Sequence, residues 1–204
     1  MQMPPQASVV VVGQQFAAPY PVTLVITKKV LSLREGEFNV TDVNGNLIFS
    51  IKGSFFSAAD RHVLRDAAGV PILTLRRKLL TAHSTWRVFK GDSTDSKDLI
   101  FSVKKSSLFQ FKVKLDVFFA SNTDENVPDF LVKGGFRDAR CTVYLGNSSA
   151  IIAEMHKQRS LKTILLDKDT YGVTVNPGVD GAFITALIVV LHEITEVHSD
   201  AAAA

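Results

Sequence analysis

A single cysteine, Cys141, stands in 204 residues, so no internal disulfide can form. Disulfides persist in oxidising compartments, and their exclusion here argues for a reducing one. The opening MQMPPQASVVVVG has no basic segment and only a short apolar run, so it does not read as a secretory signal. Gln2 excludes N-myristoylation, and the final AAAA excludes prenylation. The expected location is intracellular and cytoplasmic, with the plasma-membrane surface or the nucleus as alternatives. The Asn39 and Asn147 sequons would then stay unused.

Catalytic signatures are also missing. The chain has no GxSxG, no GxxxxGK[ST] and no GxGxxG, and Cys141 has no base beside it in sequence. Cys141 reads as a small core residue. The five histidines are scattered, and His83 near Trp86 reads as packing. No enzyme activity and no cofactor are expected. Net charge is +3, with a pI near 9.0. That permits weak attraction to phosphates or anionic lipid, but the charge is too evenly spread for a nucleic-acid binder.

What is present is phenylalanine, fourteen of them, in a chain that is 46% hydrophobic and 21% charged. This is an ordinary globular balance with room for a sizeable core. Phe111, Val113, Leu115, Val117 and Phe119 alternate with Lys112, Lys114 and Asp116. That period of two marks a strand with one dry face. Leu47, Phe49 and Ile51 repeat it, as do Leu99, Phe101 and Val103. Strand-like runs also occur from Thr23 onward and at 36–42, 60–66, 71–76, 84–90, 130–136, 141–145, 150–157 and 170–175.

Asn44-Gly45 is a hairpin signal. The DVNG unit at 42–45 is echoed by DAAG at 66–69. About a dozen short, evenly spaced strands point to a sandwich or barrel. Closure is favoured because a long open sheet would expose its edges. The polar stretches 91–98 and 121–129 read as loops prone to disorder. The expected division is a flexible arm over 1–21, one barrel domain over 22–198 and a tail over 199–204.

One helix is expected, over 180–196, with Asp180 as its N-cap. AFITALIVVLHEI is apolar on every side, which places a helix in a core or a membrane. A membrane span needs roughly 20 apolar residues. This run is shorter and ends at His192, Glu193 and Glu196, so burial in the protein is the reading, with no transmembrane span. Phe183, Leu187, Ile188 and Leu191 are its core positions.

Metal patterns are incomplete. HEITEVH at 192–198 has Glu where a zinc-protease signature needs its second His, and it reads as the solvated end of the helix. DKDTYG at 167–172 places Asp167, Asp169 and Gly172 like the start of a calcium loop. Tyr171 and Gly178 stand where oxygen ligands are needed, so no metal is expected, with Asp167 and Asp169 as weak calcium candidates.

Basic residues group at Lys28-Lys29, Arg76-Arg77-Lys78, Lys104-Lys105, and Lys157, Arg159 and Lys162. Successive strand residues face opposite ways, so a doublet sends one charge to each face. Each group alone reads as solvated strand surface. Convergence on one rim would make a phosphate or lipid-headgroup site. Lys28, Lys29, Arg76, Arg77, Lys78, Lys104 and Lys105 are the candidates.

The run PVTLVITKKVLSLREGEFNVTDVNGNLIFSIKG at 21–53 resembles the opening of the plant LURP-one-related family. RHVLRDAAGVPILTLRRK at 61–78, WRVFKGD at 86–92 and LIFSVKKSS at 99–107 continue the likeness in order. YGVTVNPGVDGAFITALIVVL at 171–191 is similar to the family's terminal segment. The resemblance implies a tubby-like C-terminal fold, a closed β-barrel of about twelve strands around a central hydrophobic helix. It also implies kinship with phospholipid scramblases and with tubby-like membrane-tethered transcription factors. Members of that wider superfamily bind phosphoinositides or other membrane lipids, while the branch itself implies no activity. No phosphoinositide motif carries over residue by residue.

The expected function is a non-catalytic binding module. It would dock weakly on anionic phospholipid or phosphoinositide and connect membrane signals to a partner or to transcription. The alternative is a protein-interaction or structural module with no lipid role and an unidentified protein partner.

Overall fold

The computed structural model describes residues 8–28, 37–54, 61–78, 85–109, 112–135, 140–157 and 170–203. Among the described residues, twelve strands precede one α-helix. They are β1 Val22–Lys28, β2 Phe38–Thr41, β3 Leu47–Ser54, β4 Arg61–Asp66, β5 Pro71–Lys78 and β6 Thr85–Lys90. There follow β7 Leu99–Phe109, β8 Lys112–Phe119, β9 Phe130–Gly135, β10 Arg140–Leu145, β11 Ile151–Lys157 and β12 Thr170–Val175. The helix α1 is Gly181–Ala203.

Every strand pairs antiparallel with its sequence neighbours, and β12 pairs with β1 to close a barrel. Closure leaves no open sheet edge. The alternation seen in sequence becomes an inside and an outside. On β8, Val113, Leu115 and Val117 are buried in the core, while Lys114 and Asp116 between them are not. The echo between DVNG and DAAG is structural. The Gly45 N–H donates to the Asp42 carbonyl at 3.1 Å, and the Gly69 N–H to the Asp66 carbonyl at 3.0 Å. Both glycines have positive φ, 87° and 84°, where a side chain would be strained.

The barrel's interior is filled by α1. Residues 181–194 are all buried, with Phe183, Leu187, Ile188 and Leu191 at most 1% exposed. Phe183 packs on Phe101 of β7 and Phe130 of β9, with ring centroids 5.2 Å and 4.8 Å away. Each such fully buried apolar side chain stabilises by about 1.5–3 kcal/mol. Asp180 caps the helix as expected, its Oδ1 accepting from the N–H groups of Ala182 (2.9 Å) and Phe183 (3.1 Å). The helix runs on to Ala203, past the expected end and through the expected tail.

Three expectations change. The first segment is not a loose arm where it is described. Val9 is buried and bridges Val179, and Val11, Val12 and Phe16 pack against the core. Residues 8–20 strap one end of the barrel, because the start of α1 offers them a hydrogen-bond acceptor. The polar stretches are also built. Asp129 Oδ2 accepts from the Phe119 N–H and from Asn122 Nδ2, both at 2.9 Å. Ser93 Oγ donates to Asp98 Oδ2 at 2.6 Å. Finally, the 192–193 stretch is not solvated, since His192 and Glu193 are 3% and 4% exposed.

Candidate functional site

Arg61 on β4 sits opposite Arg76 on β5, and Arg76 sits opposite Arg87 on β6. Three guanidinium groups therefore share one row across three neighbouring strands. Their outward direction follows from parity: His62, Leu75 and Trp86 beside them are buried in the interior. Lys78, two residues beyond Arg76, points the same way and is exposed. Directly opposed like charges destabilise a sheet. A local rule broken in this way is characteristic of a functional surface.

The β6–β7 connection, residues 91–98, folds back over this wall. The Gly91 N–H donates to the Ile72 carbonyl, and Thr74 Oγ1 donates to the Gly91 carbonyl, each at 2.8 Å. This brings Asp92 to Arg61, which donates to it, and covers Phe89 so that it is 3% exposed. Between loop and strands lies a groove of about 280 Å³, lined by Arg76, Arg77, Lys78, Arg87, Phe89 and Thr94. Arg61 and Lys104 have carboxylate partners, Asp92 and Glu125. Among the described residues Arg76, Lys78 and Arg87 make no ion pair. Uncompensated positive charge in a concave site is suited to an anion, above all one with several oxygens for guanidinium to grip.

The candidate cations separate. Arg76, Arg77 and Lys78 line the groove. Lys104 lies on the same side, its Nζ held by Glu125 and 5.6 Å from the centroid of Phe118. Lys105 has inward parity, and burial pushes its ammonium pKa down. Lys28 ends β1, four strands from β5, and its charge is felt by Glu193 instead. Lys29, Asp167 and Asp169 lie outside the described residues. Among the described residues, no group of three His, Cys, Asp or Glu side chains is placed to hold a metal ion.

Known proteins are similar to this chain in sequence and in architecture. Residues 22–192 match the profile of the LURP-one-related family. Protein LURP-one-related 15 of Arabidopsis thaliana is 47% identical over 93% of this chain and 88% of its own. Protein LURP1 of Arabidopsis thaliana is 42% identical, over 93% and 91%. The chain belongs to the LURP-one-related family. An X-ray structure of an Arabidopsis thaliana protein is similar, with a TM-score of 0.72 at 41% identity, over 91% of this chain and 98% of that one. Those family names carry no catalytic description. No helix among the described residues is long and apolar enough to cross a membrane.

A second polar cluster of this LURP-one-related chain lies inside the barrel, towards the other end of α1. Glu193 Oε1 is 3.4 Å from His192 Nδ1, and Glu193 Oε2 is 3.8 Å from His62 Nε2. The His62 ring lies tilted beside Trp86 at 5.5 Å, and His192 meets Phe38 edge-on at 5.0 Å. Burial alone would raise the Glu193 carboxyl. His192, His62 and Lys28 outweigh it and hold the group below the usual carboxylate range. The histidine beside Trp86 is therefore His62; His83 falls outside the described residues. Cys141 is buried, and that burial pushes its thiol up to about 12, so it is not a nucleophile.

Sequence reasoning missed Arg61, Arg87, Thr94 and the His62–Glu193 contact. Each depends on strand register or on a loop's direction. The one available signal was parity, since antiparallel pairing of β5 with β6 brings Arg76 opposite Arg87.

Proposed function

We propose that this chain is a non-catalytic binding module that docks on anionic phospholipid, phosphoinositides included, through the groove on β5 and β6. The observation that supports it is the row Arg61–Arg76–Arg87 with Lys78, a like-charge arrangement that costs stability and, among the described residues, leaves Arg76, Arg87 and Lys78 without carboxylates. A phosphate headgroup supplies the missing negative charge. The resemblance to a superfamily with lipid-binding members points the same way. Docking would be weak, because the groove is open and each exposed contact contributes little in water.

Vesicle co-sedimentation tests this. The protein should pellet with phosphatidylcholine vesicles containing phosphatidylserine or a phosphoinositide, but not with phosphatidylcholine alone. Pelleting should fall steeply as salt rises, because the screening length shortens from about 30 Å at 0.01 M to about 10 Å at 0.1 M. No anionic-lipid-dependent pelleting at low salt would sink the proposal.

A second reading, a protein-interaction module with no lipid role, has its own support. Tyr20, Val43, Leu47, Val70, Val127 and Ile151 are exposed, and all stand at the barrel end where α1 begins. Exposed apolar side chains set around one rim give a protein partner apolar surface to bury. Partner capture that survives Val70→Ser with Val127→Ser would count against that end as the interface.

A further inference from the structure

We propose that Thr94 is a phosphorylation site whose phosphate closes the basic groove from within the same chain, against Arg76, Lys78 and Arg87. This rests on the reading of the groove as an anion site and adds its regulation.

The loop 91–98 carries three hydroxyls, Ser93, Thr94 and Ser96, and they are not equivalent. Ser93 Oγ is used within the loop, donating to Asp98 Oδ2 at 2.6 Å and accepting from the Asp95 N–H at 3.1 Å. Ser96 starts the short 3-10 turn Ser96–Asp98. Thr94 lines the groove beside the arginines. It is exposed and outside regular structure, so a kinase can reach it. Each flanking carboxylate faces a cation of its own, which lessens its repulsion of a phosphate there. Asp92 is held by Arg61, and Asp95 lies 3.9 Å from the Lys97 ammonium.

The step is ordinary phosphoryl transfer by a protein kinase acting in trans. The terminal phosphoryl group of a nucleoside triphosphate moves to Thr94 Oγ1. The new P–O bond forms as the bond to the departing nucleoside diphosphate breaks, and the hydroxyl proton leaves to the kinase's base. The product carries about −1.5 to −2 charge at pH 7 and three acceptor oxygens. Held beside guanidinium groups it forms charge-assisted hydrogen bonds. It would occupy in cis the place of a lipid phosphate.

Two arms separate this proposal from the lipid reading. In the first, phosphothreonine is installed at position 94 of the full chain and titrated by 31P NMR. Its second pKa should lie about one unit below that of the phosphorylated free peptide GDSTDSKD, because adjacent positive charge favours the dianion. Arg76→Ala with Arg87→Ala should restore the peptide value. An unshifted pKa in the unmutated chain overturns the proposal whatever the lipid result. In the second arm, phosphorylated protein should bind phosphatidylserine vesicles at least about tenfold more weakly than unphosphorylated protein, a shift of about one pK unit's worth of interaction. Equal binding by both forms overturns the regulatory role. A shifted pKa in a chain that never pelleted with vesicles supports the phosphate site and removes only the lipid reading. Treatment of the folded chain with serine/threonine kinases and nucleoside triphosphate should place phosphate on Thr94; labelling of Ser93 or Ser96 alone overturns the assignment.

Discussion

The backbone N–H of Val12 donates to Asp180 Oδ2 at 2.7 Å, joining residues 168 positions apart. Val11 and Gly13 donate to the same oxygen at 3.3 Å and 3.0 Å. The other oxygen, Oδ1, caps α1. One fully buried carboxylate thus fastens both the N-terminal strap and the start of the core helix. Asp180→Ala would leave all of these donors without it. Lost caps cost about 1 kcal/mol and lost charged hydrogen bonds about 1.5–3 kcal/mol. The expected destabilisation is on the order of 3 kcal/mol, measured by urea unfolding. Asp180→Asn keeps one acceptor oxygen but turns an amide NH2 donor toward the other set of N–H groups, so it should also destabilise strongly.

Ile188 tests whether α1 is the core. It is 1% exposed, in the middle of the buried run. Ile188→Ala should cost about 2–5 kcal/mol, through lost burial and the cavity left behind. Ile188→Lys would bury an unpaired ammonium and should unfold the whole domain, seen as loss of near-ultraviolet circular dichroism and of cooperative melting. A Lys variant that stays folded would contradict the fold account.

Glu193 sets an acid limit. Its folded pKa is depressed by His192, His62 and Lys28 against the opposing effect of burial. A depressed carboxyl contributes stability above its unfolded pKa, near 4.3, and that contribution is lost as pH falls through the lower folded value. Stability should therefore drop from about pH 5 downward. Glu193→Gln should flatten this acid slope, because the group whose folded pKa is depressed is gone. An unchanged slope in the variant would show that Glu193 is not its source.

Cys141 should be silent. Its burial and raised pKa predict no reaction with a disulfide reagent in the folded state at pH 8. Labelling should proceed only as fast as the protein opens. Rapid labelling of native protein would contradict the placement of β10's inner face.

Most of the barrel was legible because period-two alternation is local. Val113, Leu115 and Val117 announce their face without reference to any other strand. The helix was legible through its composition, since a run apolar on every side has nowhere else to go. The strap was not. Val9 bridges Val179 across the chain, and nothing periodic in QASVVVVG signals that contact. His192 and Glu193 looked solvated because charged residues at a helix end usually are. Only the fold shows that His62, from β4, meets them inside. The groove was half legible. Arg76–Lys78 stood out as a cluster, but Arg87 and Arg61 join it only through register, and Thr94 only because its loop folds back.

The groove is the central claim, and charge reversal with a distant control tests it most directly. Arg76→Glu with Arg87→Glu is compared with Lys133→Glu, an exposed position on β9 where the ammonium lies 5.1 Å from the Tyr144 ring centroid. The two introduced carboxylates oppose each other as the arginines did, while the one at position 76 now faces Arg61 as an opposite charge, so the double variant should melt close to the wild type. Its affinity for phosphatidylserine vesicles at low salt should fall at least about tenfold, with a shallower salt dependence, because fewer phosphates are engaged. Lys133→Glu should bind as the wild type does. Wild-type binding by the double variant, or equal losses in both variants, would contradict the account.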